Sequence, residues 1–346
     1  MQPNEQANQI RPSQLFRALR CPASVRREVA ATPEEGENEA RESGTRIHEI
    51  IPKIHSFFYY EPNGIQMPFL PNNSDDDIDV ARQCVDWLRE NMPPGARILT
   101  ELLVDAGIPG IPPGTLDVLW IAEVEGGVAL GVVDWKTGRK DWTAPAEEDP
   151  QLWAYALGAI KYFDVWNPEE IEPLPRNIVS VDIIRYHPRL PFDRRETRSM
   201  LDMSKIAKYY IELEQIPIRA NAPDAPASPG EIQCTYCLAR AECPERTAWS
   251  ARAIMALEKI GQSELTKHGI IKALSFRPAI RMAAKIIKEA EDAARKILET
   301  GGSLPGYELK SGALRKEILA SRIIGVLRQR LGQAKLDEIM AIPNGK

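Results

Sequence analysis

The tightest constraint on this fold is a pair of β-rich segments around residue 126. Residues 115–124 and 128–136 are dense in Val, Ile, Leu and Trp, and Glu125-Gly126-Gly127 separates them. Such a pattern predicts an antiparallel hairpin. The turn sets the register. A Glu125-Gly126 loop pairs Val124 with Gly127 and puts Asp117 opposite Asp134. A Gly126-Gly127 loop puts Asp117 opposite Lys136 instead. Side chains alternate along a strand, so either register predicts Asp117, Asp134 and Lys136 on one face. Leu119, Ile121, Leu130 and Val132 share that face.

Two carboxylates held beside apolar neighbours repel each other and call for a cation. A hard divalent ion, Mg2+ or Mn2+, suits oxygen ligands. It lowers the pKa of a bound water and polarises a phosphodiester. A lysine alongside can orient that water or neutralise developing charge. An isolated Asp-x-Lys is usually a surface ion pair. Here the second aspartate at a matching position, and the Thr137-Gly138 that follows, favour the metal reading.

The flanking sequence reads as α/β. Helical stretches are expected at 13–30, interrupted by Cys21-Pro22, and at 34–54, with a Pro/Asn-rich loop at 62–73. Ser74 is an expected N-cap, with Asp75, Asp76 and Asp77 where the helix dipole favours acids. Val80, Cys84, Trp87 and Leu88 then form an apolar stripe. Strands are expected at 97–104 and 177–186, and helices at 150–162 and 200–213. A Pro/Ala linker at 221–230 leads to a cysteine-rich turn at 233–244. From Trp249 onward the pattern is helical, with a long amphipathic helix at 277–300, a loop at 301–312 and a last helix from Arg315. The expected organisation is an α/β core over 1–248, with a mixed sheet flanked by helices, and a helical region over 249–346.

With 43% hydrophobic and 27% charged residues, a disordered tail, a collagen and a disulfide miniprotein are excluded. No apolar run reaches the ~18 residues of a membrane helix, and Met1 to Arg11 has no apolar signal region, so the expectation is a cytoplasmic protein. A net charge of −5 does not advertise nucleic-acid binding. Any contact with phosphate is therefore expected to be local, and Arg139 and Lys140, just after the Asp-x-Lys, are the candidates. The five cysteines are an odd number, and disulfides are rare in a reducing cytosol. Cys234, Cys237 and Cys243 are spaced C-x2-C-x5-C. Cys84 belongs to the apolar stripe, which leaves Cys21, in a Cys-Pro dipeptide like Cys243-Pro244, as a fourth thiolate. Four thiolates suit zinc or an iron–sulfur cluster.

Gly114-Thr115-Leu116-Asp117, then Val133-Asp134-Trp135-Lys136-Thr137-Gly138, then Gln151-Leu152-Trp153-Ala154-Tyr155, resembles the PD-(D/E)xK nuclease superfamily. More narrowly, it is similar to the RecB-like exonucleases, in the order and spacing of a Gly-x-x-Asp strand, an Asp-x-Lys strand and a Gln-x-x-x-Tyr helix. The resemblance implies a restriction-endonuclease-like core and a metal-dependent DNA exonuclease acting on ends or single strands, in recombination, repair or phage DNA processing. It implies Asp117, Asp134, His48 and the Trp135 carbonyl as metal ligands, Lys136 as the residue assisting water, and Gln151 and Tyr155 beside the site. His48, after Gly44-Thr45-Arg46-Ile47, fits the family's upstream helical histidine. Glu101 resembles its early acidic position, an outer-shell partner. One cysteine before the core and three after it is the arrangement of AddB helicase-nuclease subunits and CRISPR-associated RecB-like exonucleases, which implies a [4Fe-4S] cluster tying the ends of the domain together.

Gly306-Tyr307-Glu308-Leu309-Lys310, with Arg315 downstream, is similar to phage-associated RecB-like proteins, implying a bacterial or phage-infected cell and a recombination or replication partner. Lys310, Arg315, Lys316, Arg322, Arg328 and Arg330 either meet a phosphate backbone or form a solvated helix face. Two other classes stay open: a non-hydrolytic DNA-end-binding module on the same fold, and a zinc-stapled interaction protein.

Overall fold

The computed structural model describes residues 8–30, 38–60, 74–138, 144–165, 177–235, 237–261 and 267–307. The expected 62–73 loop, Arg139, Lys140 and the last helix from Arg315 lie outside them. In chain order the elements are α1 (Pro12–Arg20), α2 (Ala23–Ala30), α3 (Asn38–Tyr60), α4 (Asp75–Asn91), β1 (Arg97–Val104), β2 (Gly114–Val124) and β3 (Gly127–Trp135). After these come α5 (Pro150–Val165), β4 (Ile178–Tyr186), β5 (Glu196–Leu201), α6 (Met203–Asn221), α7 (Glu231–Thr235), α8 (Pro244–Gly261), α9 (Lys267–Ser275) and α10 (Arg277–Glu299). None of the described helices is long and apolar enough to cross a membrane. The chain divides into two compact units, Met1–Ile280 and Arg281–Lys346. Of the second, the described part is the remainder of α10 and a turn closed by a Leu304–Tyr307 bridge.

The first unit is an α/β structure around one mixed sheet, ordered β1-β2-β3-β4-β5. All neighbours are antiparallel except β3 and β4, which are parallel and joined through α5. Every residue of β3 is buried, as a central strand covered on both faces requires. On one face α1, α5 and α6 pack through Leu15, Leu152, Phe163, Ile206 and Leu213 onto Leu119, Leu130, Val132 and Ile183. On the other, α3 and α4 bring Ile47, Ile51, Ile54, Val80, Cys84 and Leu88 onto Val118, Trp120, Val133 and Ile184. Ser74 caps α4, accepting from the Asp77 amide at 3.1 Å.

The hairpin takes the Glu125-Gly126 turn, since Val124 pairs with Gly127 and Val118 with Val133. Gly131 stands opposite Trp120, and a Cβ there would lie 1.9 Å from the indole, so only glycine lets this ring lie flat on the sheet. One element differs from the sequence reading. The helix expected from residue 200 begins at Met203, with Asp202 as its N-cap, and residues 196–201 instead form edge strand β5.

Candidate active site and cysteine cage

The site forms where the β2–β3 ladder ends. Pairing stops at Val118–Val133, and beyond it the Asp117 carboxylate accepts the Trp135 backbone N–H at 2.6 Å. This side chain thus replaces a ladder acceptor. Its position bends the expected arrangement. Asp134 and Lys136 meet on the α5 face, whereas Asp117 reaches the α3 side, 3.2 Å from His48 Nδ1. The cause is local to β2. Leu116 and Leu119 both enter the α5-side core while Val118 enters the other, so strict alternation breaks at Asp117.

His48 projects from α3, four residues before Pro52. Proline lacks the N–H that would otherwise bond the His48 carbonyl, and Pro52 lines the same groove. Glu101 of β1, placed opposite Asp117 by the Thr100–Val118 and Leu102–Leu116 pairs, lies 3.7 Å from His48 Nδ1. Its φ is 53°, a left-handed backbone that costs a non-glycine residue about 1–3 kcal/mol. His48, Glu101 and Asp117 are the one set of three among the described residues whose ligand atoms all lie within 4.8 Å of one another. They line an open groove of about 510 Å3 with Gly44, Thr45 and Thr115. Burial opposes a charge on His48, but the Asp117 and Glu101 carboxylates overcome it and push the imidazole up to about 10. Burial raises Asp117 against the pull of His48.

Asp134 is 3% exposed. Lys136 Nζ stands 2.8 Å from its Oδ2, and Gln151 Nε2 donates to its Oδ1 at 2.9 Å. Gln151 Oε1 accepts from Lys136 Nζ at 3.1 Å, and Gln151 Nε2 lies 3.3 Å from the Tyr155 hydroxyl. The glutamine therefore closes a ring with the acid and the amine. Burial, and then the charge of Asp134, raise the Tyr155 phenol above its usual range. Gly114, the glycine of Gly-x-x-Asp, is needed for close approach: a Cβ would sit 2.7 Å from Pro12 Cγ and 3.2 Å from Tyr155 Cε1. The sequence reading brought Glu101 in as an outer partner, and the structure seats it directly against His48. Nothing in the sequence pointed to Asp149 and Arg185, a buried ion pair beneath Gln151.

Cys21, Cys234, Cys237 and Cys243 line one small cavity with Arg27, Arg240 and Arg246, while Cys84 lies in the α3–α4 core. Each of the four sulfurs receives an N–H. Ser228 donates to Cys21 and Gly230 to Cys234, both at 3.4 Å, Arg27 Nη1 to Cys243 at 3.2 Å, and the Ala239 amide to Cys237. Burial raises the Cys234 and Cys237 thiols, Cys237 to about 11. The α1–α2 corner is tied to the cage by Arg27 on Glu245, at 2.5 and 2.7 Å, and by Glu28, which pairs with Arg17 and accepts the Leu238 amide at 2.9 Å.

Among solved structures, the chain is similar to an alkaline exonuclease (LHK-Exo) from Laribacter hongkongensis, with 12% identity over 62% of this chain and 89% of that one, at a TM-score of 0.28. The same exonuclease in complex with dAMP gives 13% identity, 62% and 88% coverage, and 0.28. SSO0001 gives 16% identity, 70% and 89% coverage, and 0.28. Scores this low do not establish a shared fold. No curated protein matches. A family model described as "Protein of unknown function (DUF2800)" matches residues 9–334, and with nearly the whole sequence spanned, the chain belongs to the DUF2800 family.

Proposed function

We propose that this protein is a divalent-metal-dependent deoxyribonuclease of the PD-(D/E)xK kind, acting on DNA ends or single strands. The observation that carries the reading is the groove-lining His48–Glu101–Asp117 set beside the Asp134–Lys136–Gln151–Tyr155 network. The donors fit a hard ion: two carboxylates and an imidazole converge, and a cation between them offsets the repulsion of the two acids. His48, Glu101 and Asp117 would hold the ion, with Asp134 and the Trp135 carbonyl, the further ligands the resemblance implies, adjoining, and the imidazole suits Mn2+ better than Mg2+. Bound there, the ion supplies Lewis-acid polarisation of a phosphodiester and a more acidic attacking water. Lys136, fixed between Asp134 and Gln151, presents an ammonium that orients the water or offsets charge on the phosphate. Gln151 and Tyr155 keep that ammonium and the Asp134 carboxylate in register.

The cysteine cage fits a [4Fe-4S] cluster. Four sulfurs face one cavity, each meets an N–H donor, and three arginines border them. One cysteine before the core and three after it, the order the resemblance carries, supports a cluster over a single zinc ion. Its role is a staple between the α1–α2 corner and residues 234–243.

The test is cleavage of end-labelled single- and double-stranded DNA by anaerobically purified protein with Mg2+ or Mn2+. Asp134→Ala and Lys136→Ala should each abolish cleavage while remaining folded by circular dichroism. Near-normal cleavage by both variants would remove the active-site assignment. DNA binding without hydrolysis by the wild type would favour an end-binding module.

A further inference from the structure

We infer that Arg185, paired with Asp149, is a positioning residue that sets Gln151 against Asp134 and Lys136. The inference rests on the nuclease reading of that network and extends it to a layer beneath. Arg185 is on β4, 1% exposed, and directly opposite Asp134 in the parallel β3–β4 ladder. A guanidinium this deep is costly unless its charge and N–H groups are matched. Its Nη2 pairs with Asp149 Oδ2, and its Nη1 donates to the Ala144 carbonyl at 2.7 Å. Asp149 is equally buried and immediately precedes α5. Its Oδ1 accepts the Gln151 amide at 3.1 Å, and its carbonyl accepts the Trp153 amide at 3.2 Å.

The geometry gives this pair two consequences. The first turn of α5 is fastened to β4 through a rigid, five-donor group rather than through packing alone. Gln151 is in that turn, so its side chain starts from a backbone referenced to the strand beside Asp134. The segment between Lys136 and Gln151 is also held near its middle, at Ala144, by the same guanidinium. A lysine could keep the charge but not both bonds at once. The bonds of Arg185 lead through Asp149 to the Gln151 amide, and its charge also faces Asp134, so a double variant at Arg185 and Gln151 separates positioning through Gln151 from a direct effect on the acid.

The test compares wild type, Arg185→Lys, Gln151→Ala and the double variant. Hydrogen exchange should quicken in peptides spanning Asp149–Tyr155 of Arg185→Lys and stay unchanged in α3 and α4. In the cleavage assay, kcat should fall about 10- to 100-fold with KM for DNA unchanged, the size of a small misplacement of reacting groups. The double variant should be no slower than Gln151→Ala alone, because Arg185 acts through that side chain. A general structural role would instead give multiplied losses. Should Arg185→Lys not fold, Asp149→Asn, which keeps the oxygen capping the Gln151 amide, carries the same comparison. Unchanged exchange at Asp149–Tyr155, or multiplicative rate losses, would overturn the inference. Absence of cleavage in the wild type would count against the nuclease reading alone, and the exchange data would still decide the positioning role.

Discussion

Glu101 holds a left-handed backbone in the middle of a strand, and a glutamate is a poor choice for it on conformational grounds alone. The position delivers its carboxylate to His48 and Asp117, so strain and site coincide. Sequence could not show this, because β-strand periodicity assumes ordinary backbone at every step. Asp117, Asp134 and Lys136 were legible because they are spaced along one hairpin, and Gln151 and Tyr155 because i and i+4 share a helix face. Asp149 and Arg185 were not, since their pairing depends on how α5 crosses back onto β4. Away from the site, Asp77 of α4 shows what a buried carboxylate does structurally. It accepts from Ser43 Oγ at 2.5 Å and Arg46 Nε at 2.9 Å, joining α4 to α3, and these bonds hold its carboxyl below the usual range despite burial. Asp77→Asn should cost about 1.5–3 kcal/mol at neutral pH, as for hydrogen bonds to a charged group. A depressed folded pKa adds stability above the unfolded value, about 3.9, and loses it as pH falls through the folded value. The gap between wild type and Asp77→Asn in urea unfolding should therefore be constant above about pH 5 and shrink below about pH 4. A gap independent of pH would mean the charge contributes nothing.

At the scale of elements, the hairpin shows why its register is unique. Either two-residue turn was open from the sequence. The Glu125-Gly126 choice puts Gly131 opposite Trp120, the only partner that leaves the indole room. Gly131→Ala should lower stability by about 1–3 kcal/mol through overpacking, read as a lower denaturation midpoint. An unchanged midpoint would show that Trp120 can move aside freely. Strand β5 was missed for a physical reason. Glu-Thr-Arg-Ser-Met-Leu carries one fully buried residue, Leu201, and its Met200 is 65% exposed, so neither a strand nor a helix period stands out. The edge position, not intrinsic propensity, makes it a strand.

In the first unit as a whole, residues more than 200 apart in sequence meet at the cysteine cage, which no local pattern could place but the one-plus-three count of cysteines anticipated. Anaerobic protein is predicted to be brown and to contain iron with acid-labile sulfide. Cys21→Ser should bleach it and speed proteolysis, because the α1–α2 corner loses its tie, while Cys84→Ser keeps the colour. Colourless protein with stoichiometric zinc would refute the cluster. The active site tests more directly still through metal binding alone, without DNA or turnover. Mn2+ titration followed by the electron paramagnetic resonance of the free ion should show saturable binding by wild type that is lost in Asp117→Asn and in His48→Ala, both still folded by circular dichroism. Mn2+ binding that is absent from the wild type, or undiminished in both variants, would contradict a metal centre at His48, Glu101 and Asp117.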